Sequence, residues 1–481
     1  MHRPNRSRWS LGAIGTSLML FLAACGTQGT SSAPSASTGG EASAPPPSAS
    51  SGGDVAEIEW YVGLGTGTNP EQIPVQEEQV DQFNADHPNI HLTLTVVDSE
   101  QAEQDLATRM PTNPPDIIGP IGIRGLQGFG DTLLDLTSYI EEAGIDRSSI
   151  EDALWDVYQL DGKQIGVPMA VYPSFIYYNK SLFDEAELAY PPHEVGEQYE
   201  GEDWTWETVR DLAMKLTVDA NGNDATSADF DPSSIEVWGL DAQFTNNDPR
   251  AWSTIFGGSG SIVADDGTTA QWPDNWREGL QFFYDGMWTD HIIPTKPELD
   301  AIEPGGNSFQ TGRIAMDVVH QWYTCCIVPA EGEAPVTDWD IAVLPTGPDG
   351  NITSKLHADT LGILDTTENP EAAFEVLNWI RTNPDLLQAW GALPAEISQR
   401  DAFFAGLDEQ FAPLEIDWNV SSQMLEYPDN PSHEAFMPNF NEANAANGEF
   451  GSKLWTTPDL DLQSEIDAHV ERIQGIFDEA G

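Results

Sequence analysis

Basic residues are scarce in this chain. Nineteen Lys and Arg stand against 79 Asp and Glu, a formal net charge of −60. Phosphate backbones are held by clusters of Lys and Arg, so nucleic acid is excluded as a partner. An anionic ligand would be repelled at long range for the same reason. A solvated acidic surface accounts for the carboxylates; a cationic ligand such as a polyamine is the sharper alternative. Cysteine is rarer still, with only Cys25, Cys325 and Cys326 in 481 residues. Neither Cys-x-x-Cys nor a Cys/His zinc spacing occurs, and His does not cluster with Cys, so no metal is expected. Gly-x-Ser-x-Gly and His-Glu-x-x-His are missing as well, which removes two common hydrolase signatures. Long apolar runs are absent except for Leu11 to Ala24, which is shorter than the roughly 20 residues a spanning helix needs.

That single run is informative. Arg3, Arg6 and Arg8 precede it with no acidic residue among them, the layout of a secretory signal. It ends in Leu22-Ala23-Ala24-Cys25, which resembles the bacterial lipobox. The resemblance implies cleavage before Cys25, a diacylglyceryl group on its sulfur, and a lipid anchor at the outer face of the cytoplasmic membrane. Residues 26–53 are almost wholly Gly, Ser, Ala, Thr and Pro, with Glu41 the only charge. Such a segment cannot bury a core and reads as a slack tether.

Residues 54–481 exceed one ordinary hydrophobic core and suggest two lobes. Short apolar strands are predicted at Glu57 to Val62, Ile90 to Val97, Pro115 to Ile118, Ile165 to Pro168 and Phe175 to Tyr178. Helices are predicted over Glu77 to Asn84, after a Thr205 cap, around Trp276, Leu280, Phe283, Tyr284 and Met287, and after Asn369-Pro370. The alternation points to an α/β fold with sheets that are at least partly parallel. Asp219, Asn221 and Asn223 alternate like the start of a calcium loop, but Asp224 and Phe230 occupy the positions of its Gly and Glu, so a polar loop that ends a helix is the expectation. Cys325 and Cys326 are adjacent; they could form a vicinal disulfide or stand as two buried thiols.

Several segments resemble one family in order and spacing. Pro168 to Phe183 reads PMAVYPSFIYYNKSLF and includes Tyr178-Asn179-Lys180. Trp204-Thr205-Trp206-Glu207 follows, then Phe309-Gln310-Thr311-Gly312-Arg313-Ile314-Ala315-Met316, Trp339 to Pro345, and Leu361-Gly362-Ile363 before Asn369-Pro370-Glu371-Ala372-Ala373. This order is similar to carbohydrate-binding family 1 of the extracellular solute-binding proteins of ABC importers, which includes maltose-binding protein. The resemblance implies a two-lobed, periplasmic-binding-protein-like α/β fold of type II. Residues 54–168 with 361–396 would form the N-lobe, and 172–358 with 400–481 the C-lobe. Crossings near Pro168 to Pro173, His357 to Leu361 and Pro394 would act as hinges. The partners implied are a small carbohydrate and the transmembrane subunits of a permease, with the binder a monomer and no cofactor.

Sugar capture combines aromatic faces on the C–H side of a ring with polar groups that fix its hydroxyls. By motif position, Trp322 is the leading aromatic, six residues past Met316. Tyr172 falls at the first crossing. Trp252 and Asp248 lie near the implied C-lobe cleft, Gly65 and Thr66 in the turn after the first strand, Asp359 before the second crossing, and Phe436 in the tail. The rival classes are an exported glycoside hydrolase, which would need two placed carboxylates, and a polyamine or peptide binder on the same scaffold.

Overall fold

The computed structural model describes residues 55–480 apart from 123–124, 127, 243–247, 259, 303–307, 328–335 and 431–432. The signal, Cys25, the tether and Asn246-Asn247 lie outside the described residues. Residues 54–481 form one compact unit. Among the described residues, no helix is long and apolar enough to cross a membrane.

Ten strands make the central sheet: β1 (Ala56–Val62), β2 (Ile90–Val96), β3 (Ile117–Gly122), β4 (Ala170–Asn179), β5 (Val218–Asp219), β6 (Ile235–Asp241), β7 (Ile314–His320), β8 (Trp339–Ala342), β9 (Leu356–Ile363) and β10 (Leu393–Pro394). Their order is β2-β1-β3-β9-β4-β7-β6-β5, with β8 and β10 also on β4. β1 pairs in parallel with β2 and β3. Parallel neighbours need crossovers, which helices Gln72–Asp86 and Ser99–Arg109 supply.

Strand β4 is buried along all ten residues because it works in two places. Ala170 to Pro173 pair antiparallel with Asp359 to Leu356 of β9, and Val171 and Ala170 also pair with β10. Ser174 to Asn179 instead pair with β7 on one side and β8 on the other. β9 likewise leaves β4 and continues along β3 from Asp359 to Ile363. β4 and β9 are therefore the threads that join a β1–β3 group to a β5–β8 group, giving the two-lobed α/β architecture. The near-continuous apolar reading of β4 reflects burial on both faces.

Local expectations hold where periodicity is strong. Thr205 Oγ1 accepts the Thr208 N–H at 3.3 Å and starts helix Trp206–Leu216, which buries Trp206, Val209, Leu212, Ala213 and Leu216. Trp276, Leu280, Phe283, Tyr284 and Met287 line the inner side of helix Asp274–Trp288. Other expectations need correction. The first helix begins five residues before Glu77, since Pro74 sits in its first turn, where no N–H partner is needed. Ile165 to Pro168 form no strand. Gly166 is pressed against the Thr360 side chain, and the Gln164 amide holds the Gly166 carbonyl at 2.9 Å, so the segment is pinned outside any ladder. Asn369 precedes helix Pro370–Thr382 without capping it by its side chain.

Candidate functional site

The turn after β1 is built around glycine. Gly67 has φ +112°, and a Cβ there would stand 2.7 Å from Val62 Cγ1. Its N–H donates to Gln72 Oε1 at 3.0 Å, and Gln76 Nε2 donates to its carbonyl at 2.8 Å. Helix Gln72–Asp86 thus holds the turn with two buried amides. Gly65 lies against the backbone of β3: a Cβ would approach Pro120 O to 2.8 Å.

Across from this turn, β7 ends at His320 and the chain winds into the short helix Gln321–Cys325. Gly391, at φ +62°, packs behind it, leaving no room for a side chain against Trp322 O and Thr324 Oγ1. Tyr177 Oη donates to His320 O at 3.2 Å. With its back braced in this way, Trp322 remains half-buried at the cleft, its ring parallel to His320 at 6.3 Å and edge-on to Tyr323 at 5.9 Å. Burial pushes the His320 pKa well below the usual imidazole range, so this platform is neutral near pH 7.

The two pieces enclose a cavity of about 190 Å³ lined by Gly65 to Asn69, Gln72, Trp322, Cys325 and Cys326. Three predicted residues, Gly65, Thr66 and Trp322, therefore share one wall-to-wall space. Two more pair with each other: Tyr172 Oη donates to Asp359 Oδ2 at 3.3 Å. Burial, and then the Asp359 charge, raise the Tyr172 phenol well above its ordinary value. Burial lifts Asp359 to about 6, against the opposing effect of the Tyr172 hydrogen bond. The cavity brings the Trp322 indole together with the threonine side chains and backbone of the turn, which suits a ring with one apolar side and a polar rim.

The remaining predicted residues lie elsewhere. Trp252 is in the core, stacked on Phe283 at 5.6 Å within helix Pro249–Ile255. Asp248 accepts from Lys355 Nζ at 3.1 Å in a buried ion pair next to β9. Phe436 is 59% exposed and does not line the cavity. Sequence reading missed Asn69, Gln72 and the cysteines as lining residues, although Cys325 follows Trp322 by one helical turn and Asn69 follows Thr66 by three positions. The Asp219 loop is organised by its own amides. Asp219 Oδ1 accepts from Asn221 N and Asn223 N, and Oδ2 from Asn223 Nδ2 and Asp231 N, at 2.8–3.1 Å. Burial raises the Asp219 pKa, but these donors outweigh it and hold the carboxyl well below its ordinary range. Among the described residues, no group of three or more His, Cys, Asp or Glu is placed to hold a metal ion.

A second, larger hollow of about 500 Å³ adjoins the first at Cys325 and is lined by Glu71, Glu78, Asp385, Gln79, Gln388 and Gln410 among others.

Comparison with known proteins agrees with this architecture. An ABC substrate-binding protein of Listeria monocytogenes, solved in complex with cycloalternan, superposes with a TM-score of 0.69 at 21% identity, covering 88% of this chain and 99% of that one. The maltose/maltodextrin-binding domain of Bdellovibrio bacteriovorus, bound to maltotriose, gives 0.64 at 18% identity, covering 88% and 99%. A binding protein of Brucella abortus is 25% identical over 312 residues, 64% of this chain and 68% of the relative. A family model described as bacterial extracellular solute-binding protein matches residues 68–385. With two thirds of its length under that model, and with the two-lobed sheet that the family's structures share, the chain belongs to the bacterial extracellular solute-binding proteins.

Proposed function

We propose that this protein captures a sugar or oligosaccharide by hinge closure and delivers it to the transmembrane subunits of an ABC importer. The observation that carries this reading is the cavity that Trp322 and the Gly65-Thr66 turn line together. At about 190 Å³ it falls below the roughly 300–1,000 Å³ of a drug-sized pocket, so it has room for one ring. The adjoining hollow would take further units. The carbohydrates in the related structures support the same class.

Residues 54–168 with 361–396 form one lobe in this reading, and 172–358 with 400–481 the other. β4, β9 and β10 supply the crossings, and rotation about them closes the lobes on the ligand. A lipid on Cys25 and the 26–53 tether keep the binder near its permease. The family consists of binding proteins, and the chain acts as a monomer that consumes nothing. ATP hydrolysis belongs to another subunit. Micromolar affinity, about −8 kcal/mol, would suit capture with release.

A polyamine reading has one observation in its favour: Glu71, Glu78 and Asp385 around the second hollow. Both readings meet the same test, titration of the purified protein with glucose, maltotriose, cycloalternan and spermidine by calorimetry and thermal melting. Saturable stabilisation by a carbohydrate that is recovered intact is expected. Turnover of the sugar, or a response to spermidine alone, would overturn the proposal.

A further inference from the structure

We infer that Cys325 and Cys326 are joined as a disulfide between neighbouring residues, and that this disulfide forms part of the ligand-contacting floor of the cleft. The inference rests on the carbohydrate reading only for what touches the floor, not for the bond itself. In the structure both are unbonded thiols whose sulfurs stand 2.7 Å apart, inside van der Waals contact. Both residues line the cavity with Trp322 and Thr66, and Asn69 Nδ2 points at the pair, 3.7 Å from Cys326 Sγ and 4.0 Å from Cys325 Sγ. Each residue is 8% exposed, so what shows of them shows into the cleft. Cys325 also borders the acidic hollow, which makes the pair the sill between the two spaces.

Chemistry favours the bond. The chain belongs to an extracellular family, and exported proteins meet oxidising conditions in which paired cysteines persist as disulfides. Formation requires an oxidant, here another disulfide acting by thiol–disulfide exchange. One cysteine thiolate attacks a sulfur of the donor and expels the first thiolate. The second cysteine thiolate then attacks the mixed disulfide and expels the other. The protein loses two protons and two electrons, and the donor becomes two thiols. Exchange belongs to the period before burial is complete, because the hydrogen bond with Cys326, and then burial, raise the Cys325 thiol well above its ordinary range in the folded chain. The closed eight-membered ring removes the rotamer freedom of both side chains. It presents a rigid, polarisable ledge beside the Trp322 indole, and Asn69 limits how far that ledge can shift.

The test uses the full chain carrying Cys25→Ser, so that only two cysteines remain. Purified without reductant and denatured, it should show no free thiol, and two after dithiothreitol. Trp322 reports the same change without any ligand. Reduction should brighten its emission in this chain and leave C325S/C326S unchanged, since a disulfide quenches an adjacent indole. Maltotriose affinity should fall at least about fivefold on reduction, and C325S/C326S should match the reduced protein. Two free thiols that persist after the denatured chain is refolded with oxidised glutathione would overturn the bond. A disulfide whose reduction leaves both Trp emission and maltotriose affinity unchanged would overturn its place in the contact floor. If no carbohydrate binds in either redox state while thiol and Trp readouts respond, the carbohydrate assignment fails and the disulfide stands.

Discussion

At the scale of single residues, Trp322 and Asp359 make the sharpest claims. Trp322 is half-buried and braced by His320 and Tyr323, so its loss removes a ligand face without opening the core. Trp322→Ala should weaken maltotriose binding at least tenfold, about 1.4 kcal/mol, with the unliganded melting temperature nearly unchanged. Calorimetry and a melt in parallel decide it, and equal loss of both would mean that the ring is core. Asp359 carries a different signature. Burial raises it to about 6 in the folded chain, above the ordinary carboxylate value that it recovers on unfolding. Between about pH 4 and 6 the folded state holds the proton more tightly, so stability rises as pH falls through that window and declines as pH climbs. Asp359→Asn keeps an acceptor for Tyr172 and removes the buried charge. It should be more stable than the parent at pH 7.5, by on the order of 2 kcal/mol, and the gap should close toward pH 4. Urea melts at several pH values read this directly. Asp241, also near 6 through burial and held by Ser308, keeps its own slope in both proteins, so the difference between them is the measurement. Residues of this kind were legible in sequence only where a motif fixed the position. Trp322 stood six residues past Met316, whereas Asn69 and Gln72 enter the cavity through a helix start that no periodicity marks.

Among the elements, Asp429, His433 and Glu434 of the tail show how a strand can be fastened from outside the sheet. Asp429 Oδ1 accepts the Leu356 N–H at 2.9 Å, and His433 Nε2 lies 2.7 Å from the Leu356 carbonyl. Asp429 and Glu434 in turn hold Arg250 at 3.1 and 2.9 Å, with the guanidinium 2% exposed. Removing one member of such a buried group strands the others. Arg250→Met should lose about 3–5 kcal/mol, while R250M/D429N/E434Q should regain most of it. Chemical denaturation of both variants checks this, and an R250M loss under 1 kcal/mol would contradict it. Trp252 belongs here too. The implied C-lobe cleft drew attention to it, but its spacing with Ile255 on helix Pro249–Ile255 turns it into the Phe283 stack. Helix faces were readable because burial repeats every three or four residues. The fate of Ile165 to Pro168 was not, because a four-residue apolar run looks the same whether it joins a ladder or is pinned by Gln164 and Thr360.

For the whole molecule, charge dominates. Carboxylates outnumber bases about fourfold, and the compact state gathers that repulsion into a small volume. Raising NaCl from about 0.05 to 0.5 M shortens the screening length severalfold and should raise the melting temperature by several degrees. A melting temperature that falls with salt would show that attractive pairs outweigh the net charge. The two-lobed order itself was the most legible property, because it rests on the sequence of whole segments from Pro168 to Ala373 and tolerates errors in any one of them. What sequence could not supply was the division of β4 into two partnerships, which depends on a register shared with four other strands.

That division has a mechanical meaning. β4 and β9 lie side by side and antiparallel where they pass between the lobes, four residues of each in register, with β10 alongside. A joint of this kind is a flexure rather than a pin. In the proposed closure, hydrogen bonds between the two leaves would resist sliding and yield to twist, so the lobes would change their angle without changing their offset. A flexure also has a resting angle to which it returns. Thr66 and Trp322 would therefore meet in the same alignment at every closure, and the elastic return of the ribbon, rather than any repulsion across the cleft, would reopen it once the ligand has left.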